Sequence, residues 1–372
     1  MQQLQKKRLI YFLLLTWSFL VASEGIKYTY LEVPSSPYFD CVGGNHSIHI
    51  IEIDPSLYEI KPIKALDNGI GRETVLSISD RYGAVASVNG GFFAIGGLLD
   101  GRACGALKIH DWYAIPFKPR GCIGWRGKDQ TPKMDRLLVK INAHYQLDQI
   151  PLSGLNRERK AGEIILFTPS FHRTTLTKPD GEELVIVNGV IKEIVQNGSS
   201  KIPENGYIVS IQKESPFFRY FEKGEFFEVF TVIEPLEEIT SVNDWELCDY
   251  IVGGTPLLVV DRVRRSNFEC EQTIPTFLTK RHSRTAVGVL PNGNWLFVVV
   301  DKTSILDGMT MCELSDLMLE LGCVHALNLD GGGSSTMTFK GEIVNSPHGD
   351  EDEGLEKKMV RRVSDAIVII PK

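Results

Sequence analysis

Ala326-Leu327-Asn328-Leu329-Asp330-Gly331-Gly332-Gly333-Ser334-Ser335-Thr336 joins an apolar run to a glycine turn and a cluster of hydroxyls. Residues 326–329 read as a buried strand that delivers the Asp330 carboxyl to its end. Gly331, Gly332 and Gly333 let the main chain turn tightly and approach a ligand without side-chain obstruction. Successive N–H groups in such a turn can point inward and form an anion nest. Ser334, Ser335 and Thr336 add hydroxyl donors, and 336–339 leaves as another strand. A flexible hairpin loop is the plain alternative. The buried strand before the turn, the single acid in it and the hydroxyls after it favour a ligand site. It is not a dinucleotide fingerprint, because the GxGxxG spacing is missing and a strand, not a helix, follows.

Working outward, strands dominate. Residues 285–290 and 295–301 form a hairpin across Pro291-Asn292-Gly293-Asn294, and 250–252 and 257–260 flank Gly253-Gly254-Thr255-Pro256. The isoleucine-rich run 48–53 predicts a strand buried on both faces. Further strands are expected at 59–66, 84–88, 105–115, 137–147, 163–171, 183–196, 207–211, 226–233 and 365–370. Asn188-Gly189 inside 183–196 is a hairpin signal. Helical spacing is confined to 72–82 and to 311–321, where Leu314, Leu317, Met318 and Leu321 share one stripe. Many strands, few helices and frequent hairpin turns predict an α+β fold, mainly antiparallel sheet with a few flanking helices. No linker or internal repeat is evident, so residues 24–372 read as one catalytic domain. The acidic stretch 350–356 reads as a solvated loop.

Lys6, Lys7 and Arg8 precede an apolar run from 9 to 22, and Val21-Ala22-Ser23 supplies small residues for cleavage. That layout predicts a signal peptide over 1–23 and an exported chain: secreted, periplasmic or lumenal. No stable membrane insertion is expected after cleavage, since no later run approaches the roughly 20 apolar residues of a spanning helix. The 372 residues are 43% hydrophobic and 23% charged, and the net charge is −7. A mildly acidic protein gains no general attraction to nucleic acid, so an anionic ligand must be held locally. Of seven cysteines, Cys104 with Cys122 and Cys248 with Cys270 are the first pairs to test in an oxidising compartment. Cys312 and Cys323 bracket one helix, whose rise separates them too far for a bridge.

Two other segments carry candidate chemistry. Arg284, in Arg281-His282-Ser283-Arg284-Thr285, sits where a loop enters a strand, and a guanidinium matches paired phosphate oxygens; a solvated surface arginine is the plain alternative. Val88-Asn89-Gly90-Gly91-Phe92-Phe93 places an amide at a strand end. The amide suits a sugar hydroxyl, the glycines permit close approach and Phe92 can stack on a sugar face. A turn over core phenylalanines explains the segment equally well.

Taken together these pieces resemble the phosphodiester glycosidase family. The matching segments are Asn89-Gly90-Gly91-Phe92-Phe93, Gly253-Gly254-Thr255-Pro256-Leu257, Arg284-Thr285-Ala286-Val287-Gly288, Gly308-Met309-Thr310 with Glu313-Leu314, and Asn328 through Met337. Ile202 through Gly206, Val344-Asn345 and Arg361-Arg362-Val363 complete the likeness, which runs from about Asn45 onward. Lys302 stands after Asp301 where the family usually has glycine. The resemblance implies a glycosidase acting on a sugar-1-phosphodiester or phosphate-linked glycan, possessing neither cofactor nor metal. It assigns catalysis to Asp330, Arg284 and Asn89, and substrate contacts to Gly90, Gly91, Phe92, Thr285 and the 331–336 loop. A second carboxylate, which most glycosidases use, is not identified; Asp301 is a weak candidate. Two rivals stand beside this reading: a silent glycan-binding protein on the same fold, and a metal-dependent phosphodiesterase cutting P–O, which needs clustered His and Asp.

Overall fold

The computed structural model describes residues 17–33, 45–237, 239–348 and 359–372. Their strands assemble into four sheets, almost wholly antiparallel, with few helices. The first sheet has the order Trp17–Ser23, Ile26–Val33, His46–Ile53, Trp295–Val300, Arg284–Val289, His325–Asn328, Leu257–Val260, Val263–Arg264. The second runs Glu342–Ile343, Met337–Phe339, Ala86–Asn89, Asp365–Pro371, Tyr58–Lys64. The chain crosses from one to the other through residues 329–336, so the glycine turn is the bridge between two sheets.

These sheets share a core because their strands are apolar on the facing sides. Ile51, Ile53, Val287, Phe297 and Leu327 of the first meet Ile60, Val88, Met337, Ile367 and Ile369 of the second. The other face of the first sheet, with Ile48, Ile50, Val298 and Ala326, is covered by the Met311–Glu320 helix through Leu314, Leu317 and Met318. Thr310 starts that helix with a capping box: the Glu313 N–H donates to Thr310 Oγ1 and Thr310 N–H donates to Glu313. Such a box satisfies donors that a helix start leaves orphaned. Two further sheets are built around the thirteen-residue strand Lys133–Tyr145 and around Gly206–Gln212.

The long periodic elements sit where the sequence puts them. Asn188 and Gly189 adopt φ values of 51° and 72°, as the two-residue hairpin requires. Residues 105–115 are not one strand: His110 turns with φ 59° and splits them into Leu107–Ile109 and Asp111–Ala114. The pairing of Ile26–Val33 has no counterpart in the sequence reading. Of the expected signal segment, residues 1–16 lie outside the described residues, while Trp17–Ser23 pairs with Ile26–Val33 at the outer edge of the first sheet. Cleavage after Ser23 would remove that edge strand and leave the next one paired to His46–Ile53. The stretch 350–356 lies outside the described residues.

Neither candidate pair is joined, and Cys104, Cys122, Cys248, Cys270, Cys312 and Cys323 are free thiols. Cys122 is buried inside the Arg120–Trp125 strand and Cys248 packs over Gly124 beside Trp245, whereas Cys270 is exposed and Cys104 lies against the Arg102 guanidinium. Spacing along the chain carried no information about these separate environments.

The Gly253–Pro256 turn ties the strand before it to the strand that leads into the glycine turn. Thr255 N–H donates to Asn328 O at 2.9 Å, and Asn328 Nδ2 donates back to Thr255 O at 2.7 Å. A Cβ on Gly254 would meet Asn328 O at 2.2 Å and Leu327 Cγ at 2.8 Å. Gly254→Ala is therefore expected to lower unfolding free energy by about 1–3 kcal/mol through overpacking, read from the denaturant midpoint; an unchanged midpoint contradicts the packing described.

Candidate active site

Asp330 follows the His325–Asn328 strand, and three bonds fix its main chain and carboxyl. Its N–H donates to Gly90 O at 3.2 Å. Its carbonyl accepts Asn89 Nδ2 at 2.8 Å, and its Oδ1 accepts the next amide, Gly331 N, at 2.9 Å. The residue is half-buried. Burial pushes its carboxyl up to about 6, and the negative charge of Asp365 adds to the rise; the Ser334 hydroxyl, Gly331 N–H and Arg361 oppose it. A carboxylate lifted this far by loss of solvent is a stronger base than an exposed one.

Arg284 lies against the residue that follows Asp330: a Cβ on Gly331 would be 3.9 Å from Arg284 Cδ. Arg284 is only 1% exposed, so it is not a surface residue. Most of its donors are committed. Nε donates to Met309 O at 2.8 Å, and Nη2 to Lys280 O at 2.7 Å and Phe277 O at 3.0 Å. Among the described residues Nη1 meets no acceptor. The guanidinium lies 5.2 Å over the Phe277 ring, which packs edge-on against half-buried Phe92 at 5.9 Å. The expected bidentate fork is thus reduced to one nitrogen, Nη1, that meets no acceptor among the described residues, because the rest of the fork holds Phe277, Lys280 and Met309.

Asn89 differs from expectation in the same way. It is 1% exposed, and its Oδ1 accepts Thr285 Oγ1 at 2.8 Å and Thr336 N at 3.2 Å. Both ends of the amide are used inside the protein, so Asn89 organises the site without reaching a ligand. Thr285 Oγ1 also lies 3.2 Å from Ser335 Oγ, and with its own proton given to Asn89 it accepts there. Thr285, Ser334, Ser335 and Thr336, expected as ligand contacts, are buried. The amide nest is largely closed as well. Gly332 N–H, in a left-handed turn at φ 62°, donates to Ser283 O, while Ser334 and Ser335 N–H close the turn on Gly331 and Gly332.

Cationic groups surround the turn. His282 is held near 4, first by burial and then by Arg284, Lys302, Lys280 and His348, so it stays neutral at pH 7. Arg361 reaches Ser334 Oγ at 3.5 Å. Arg361 and Lys302 were not assigned a role from sequence; only the neighbouring resemblance at Arg361-Arg362-Val363 pointed their way. Asp301, the weak second acid, is tied down: Oδ1 accepts Asn345 Nδ2 at 2.9 Å, and Oδ2 accepts Ser346 N at 2.9 Å beside His49 Nε2 at 3.2 Å. It is a structural anchor. The described residues hold no group of three or more His, Cys, Asp or Glu arranged for a metal ion. No helix among them is long and apolar enough to cross a membrane.

A family model described as phosphodiester glycosidase matches residues 180–370; Asn89 lies upstream of that range and joins the site through the fold. Over 106 residues the chain is 32% identical to N-acetylglucosamine-1-phosphodiester alpha-N-acetylglucosaminidase of Bos taurus, a match covering 27% of this chain and 20% of that one. The chain thus spans a fifth of the length of that relative. Two crystal structures share the fold: a hypothetical protein from Synechocystis, with TM-score 0.80 and 22% identity over 96% of this chain and 64% of that one, and a Burkholderia pseudomallei protein, with TM-score 0.74 and 22% identity over 89% and 75%.

The Asp330 carboxyl binds its proton more tightly in the folded chain than in the unfolded one. The cost of its charged form is therefore full above about 6 and vanishes below its ordinary value of 3.8. Asp330→Asn should be more stable than the parent by a few kcal/mol at pH 7, and the advantage should disappear near pH 4. Melting curves across this range check it; a variant less stable at pH 7 contradicts the burial argument.

Proposed function

The chain belongs to the phosphodiester glycosidase family, and on that premise we propose that it hydrolyses a sugar-1-phosphodiester at the anomeric C–O bond, with Asp330 as general base. One observation carries this reading: a half-buried carboxyl raised to about 6 stands in a glycine turn that packs against Arg284, whose Nη1 meets no acceptor among the described residues.

The departing phosphate explains why one reachable acid is enough. As the bond from C1 to the phosphodiester oxygen breaks, its electron pair stays on the phosphate, which already spreads negative charge and leaves without a proton. Arg284 Nη1 and the positive field of Lys280, Lys302 and Arg361 stabilise that growing charge. Water adds its oxygen to C1, and Asp330 takes the water proton. The products are a free sugar and a phosphomonoester. The Phe92 ring offers a face for the sugar, and Gly331 to Gly333 keep side chains out of its approach. N-acetylglucosamine is the proposed sugar, by analogy with the bovine relative, and export is proposed from the leader-like residues 1–23.

N-acetylglucosamine-1-phosphate methyl ester in ¹⁸O-water is the test substrate. The label should appear in the sugar, kcat/KM should rise with pH through about 6, and Asp330→Asn should lose about 10²- to 10⁴-fold in kcat. Label in phosphate would instead establish P–O attack, and binding of the ester without turnover by the parent protein would establish a silent glycan-binding protein.

A further inference from the structure

A second acid lies against the glycine pair. Asp365 opens the Asp365–Pro371 strand and is 1% exposed. Its Oδ2 accepts Gly91 N at 3.1 Å, and its carbonyl accepts Gly90 N at 2.9 Å. A Cβ on Gly90 would come within 1.9 Å of Oδ2, so only glycine fits between this carboxyl and the turn. Gly90 O in turn accepts Asp330 N. Two acids therefore flank one residue.

The surroundings of Asp365 are unusual for a purely structural acid. Oδ1 is buried and has no hydrogen-bond partner among the described residues. The nearest compensating charge is Lys64, whose Nζ spends its three donors on Gly101 O at 2.7 Å, Ser364 O at 2.9 Å and Ser364 Oγ at 2.8 Å. Burial raises the Asp365 carboxyl above its ordinary value, and Lys64, acting through space, the Gly91 N–H and the Ser364 hydroxyl oppose the rise. Holding Gly91 N–H needs only an acceptor oxygen, and asparagine would supply one without the cost of burying a charge. The charge is surplus to the structural task.

We propose that Asp365 is a positioning residue for the reaction: its carboxylate clamps the Gly91 amide and directs negative charge across Gly90 at Asp330, keeping Asp330 a competent base. This rests on the reading of Asp330 as that base. The other groups facing Asp330 are the Ser334 hydroxyl of its own turn, Arg361 from the segment before the last strand, and the Cys104 thiol with Arg102 behind it. Of these, Arg361 and Ser334 favour the charged form, so Asp365 is the like charge that works against them.

Carboxyl titration by carbon NMR tests this without substrate. In Asp365→Asn the Asp330 midpoint should fall by roughly half a pH unit to one unit, and the midpoint of kcat/KM against pH should fall with it. Coupling between two sites is reciprocal, so Asp330→Asn should lower the Asp365 midpoint in the same way; this measurement serves if Asp365→Asn does not fold. An Asp330 midpoint that stays or rises in folded Asp365→Asn, or an Asp365 midpoint unmoved in Asp330→Asn, overturns the proposal. Shifted midpoints in a protein that hydrolyses no sugar phosphodiester would instead defeat the functional reading and leave the charge coupling standing.

Discussion

The buried amide of Asn89 is the joint on which the site depends. It sits at the end of a strand in the second sheet, yet its four polar contacts reach Thr285 in the first sheet and Asp330, Thr336 and Gly90 around the turn between them. Two sheets packed through aliphatic side chains have no directional preference of their own. One amide with both a donor and an acceptor end supplies it, because each end is satisfied only when both sheets are in register. In a buried setting an amide left without partners costs about as much as several ordinary surface substitutions. The same requirement orients Asp330, whose carbonyl and N–H are both taken.

Once the main chain is locked, electrostatics follow from geometry. The carboxyl has little water and a second acid beyond Gly90. Arg361 acts on it, and two cations near the turn spend donors on main-chain carbonyls: Arg284 on three of them, Lys302 Nζ on Arg281 O. Charges immobilised in this manner need not reorganise when negative charge develops on a ligand, which is how a preorganised site lowers a barrier. The protein is acidic overall, with a net charge of −7, so the cations of this corner are a local feature and not a property of the whole surface.

Much of the architecture was legible in the sequence. The isoleucine run at 48–53, the hairpin across Asn292-Gly293 and the helix stripe at 311–321 are set by local periodicity and turn chemistry, and each appears where it is expected. The convergence of Arg284, Asn89 and the 330 turn was legible through resemblance, since their order along the chain is distinctive. Which way the side chains face was not. Arg284, Asn89, Ser335 and Thr336 are polar residues at strand ends, and sequence alone cannot tell a ligand contact from a contact with the neighbouring sheet. Asp365 escaped notice for the same reason: it reads as the first residue of a closing strand, and only pairing with Ala86–Asn89 brings it under the glycines. Cysteine pairing stayed open in the sequence because proximity of cysteines is a property of the fold and not of their spacing.

A crystal structure of the chain with N-acetylglucosamine-1-phosphate bound is the most direct measurement. The phosphate should lie within hydrogen-bonding distance of Arg284 Nη1, and the anomeric carbon should face the Asp330 carboxyl with Phe92 against the sugar. A ligand seated elsewhere, such as the depression of about 150 Å³ lined by Trp125, Arg126 and Lys133, with the Asp330 corner vacant, would contradict the site described.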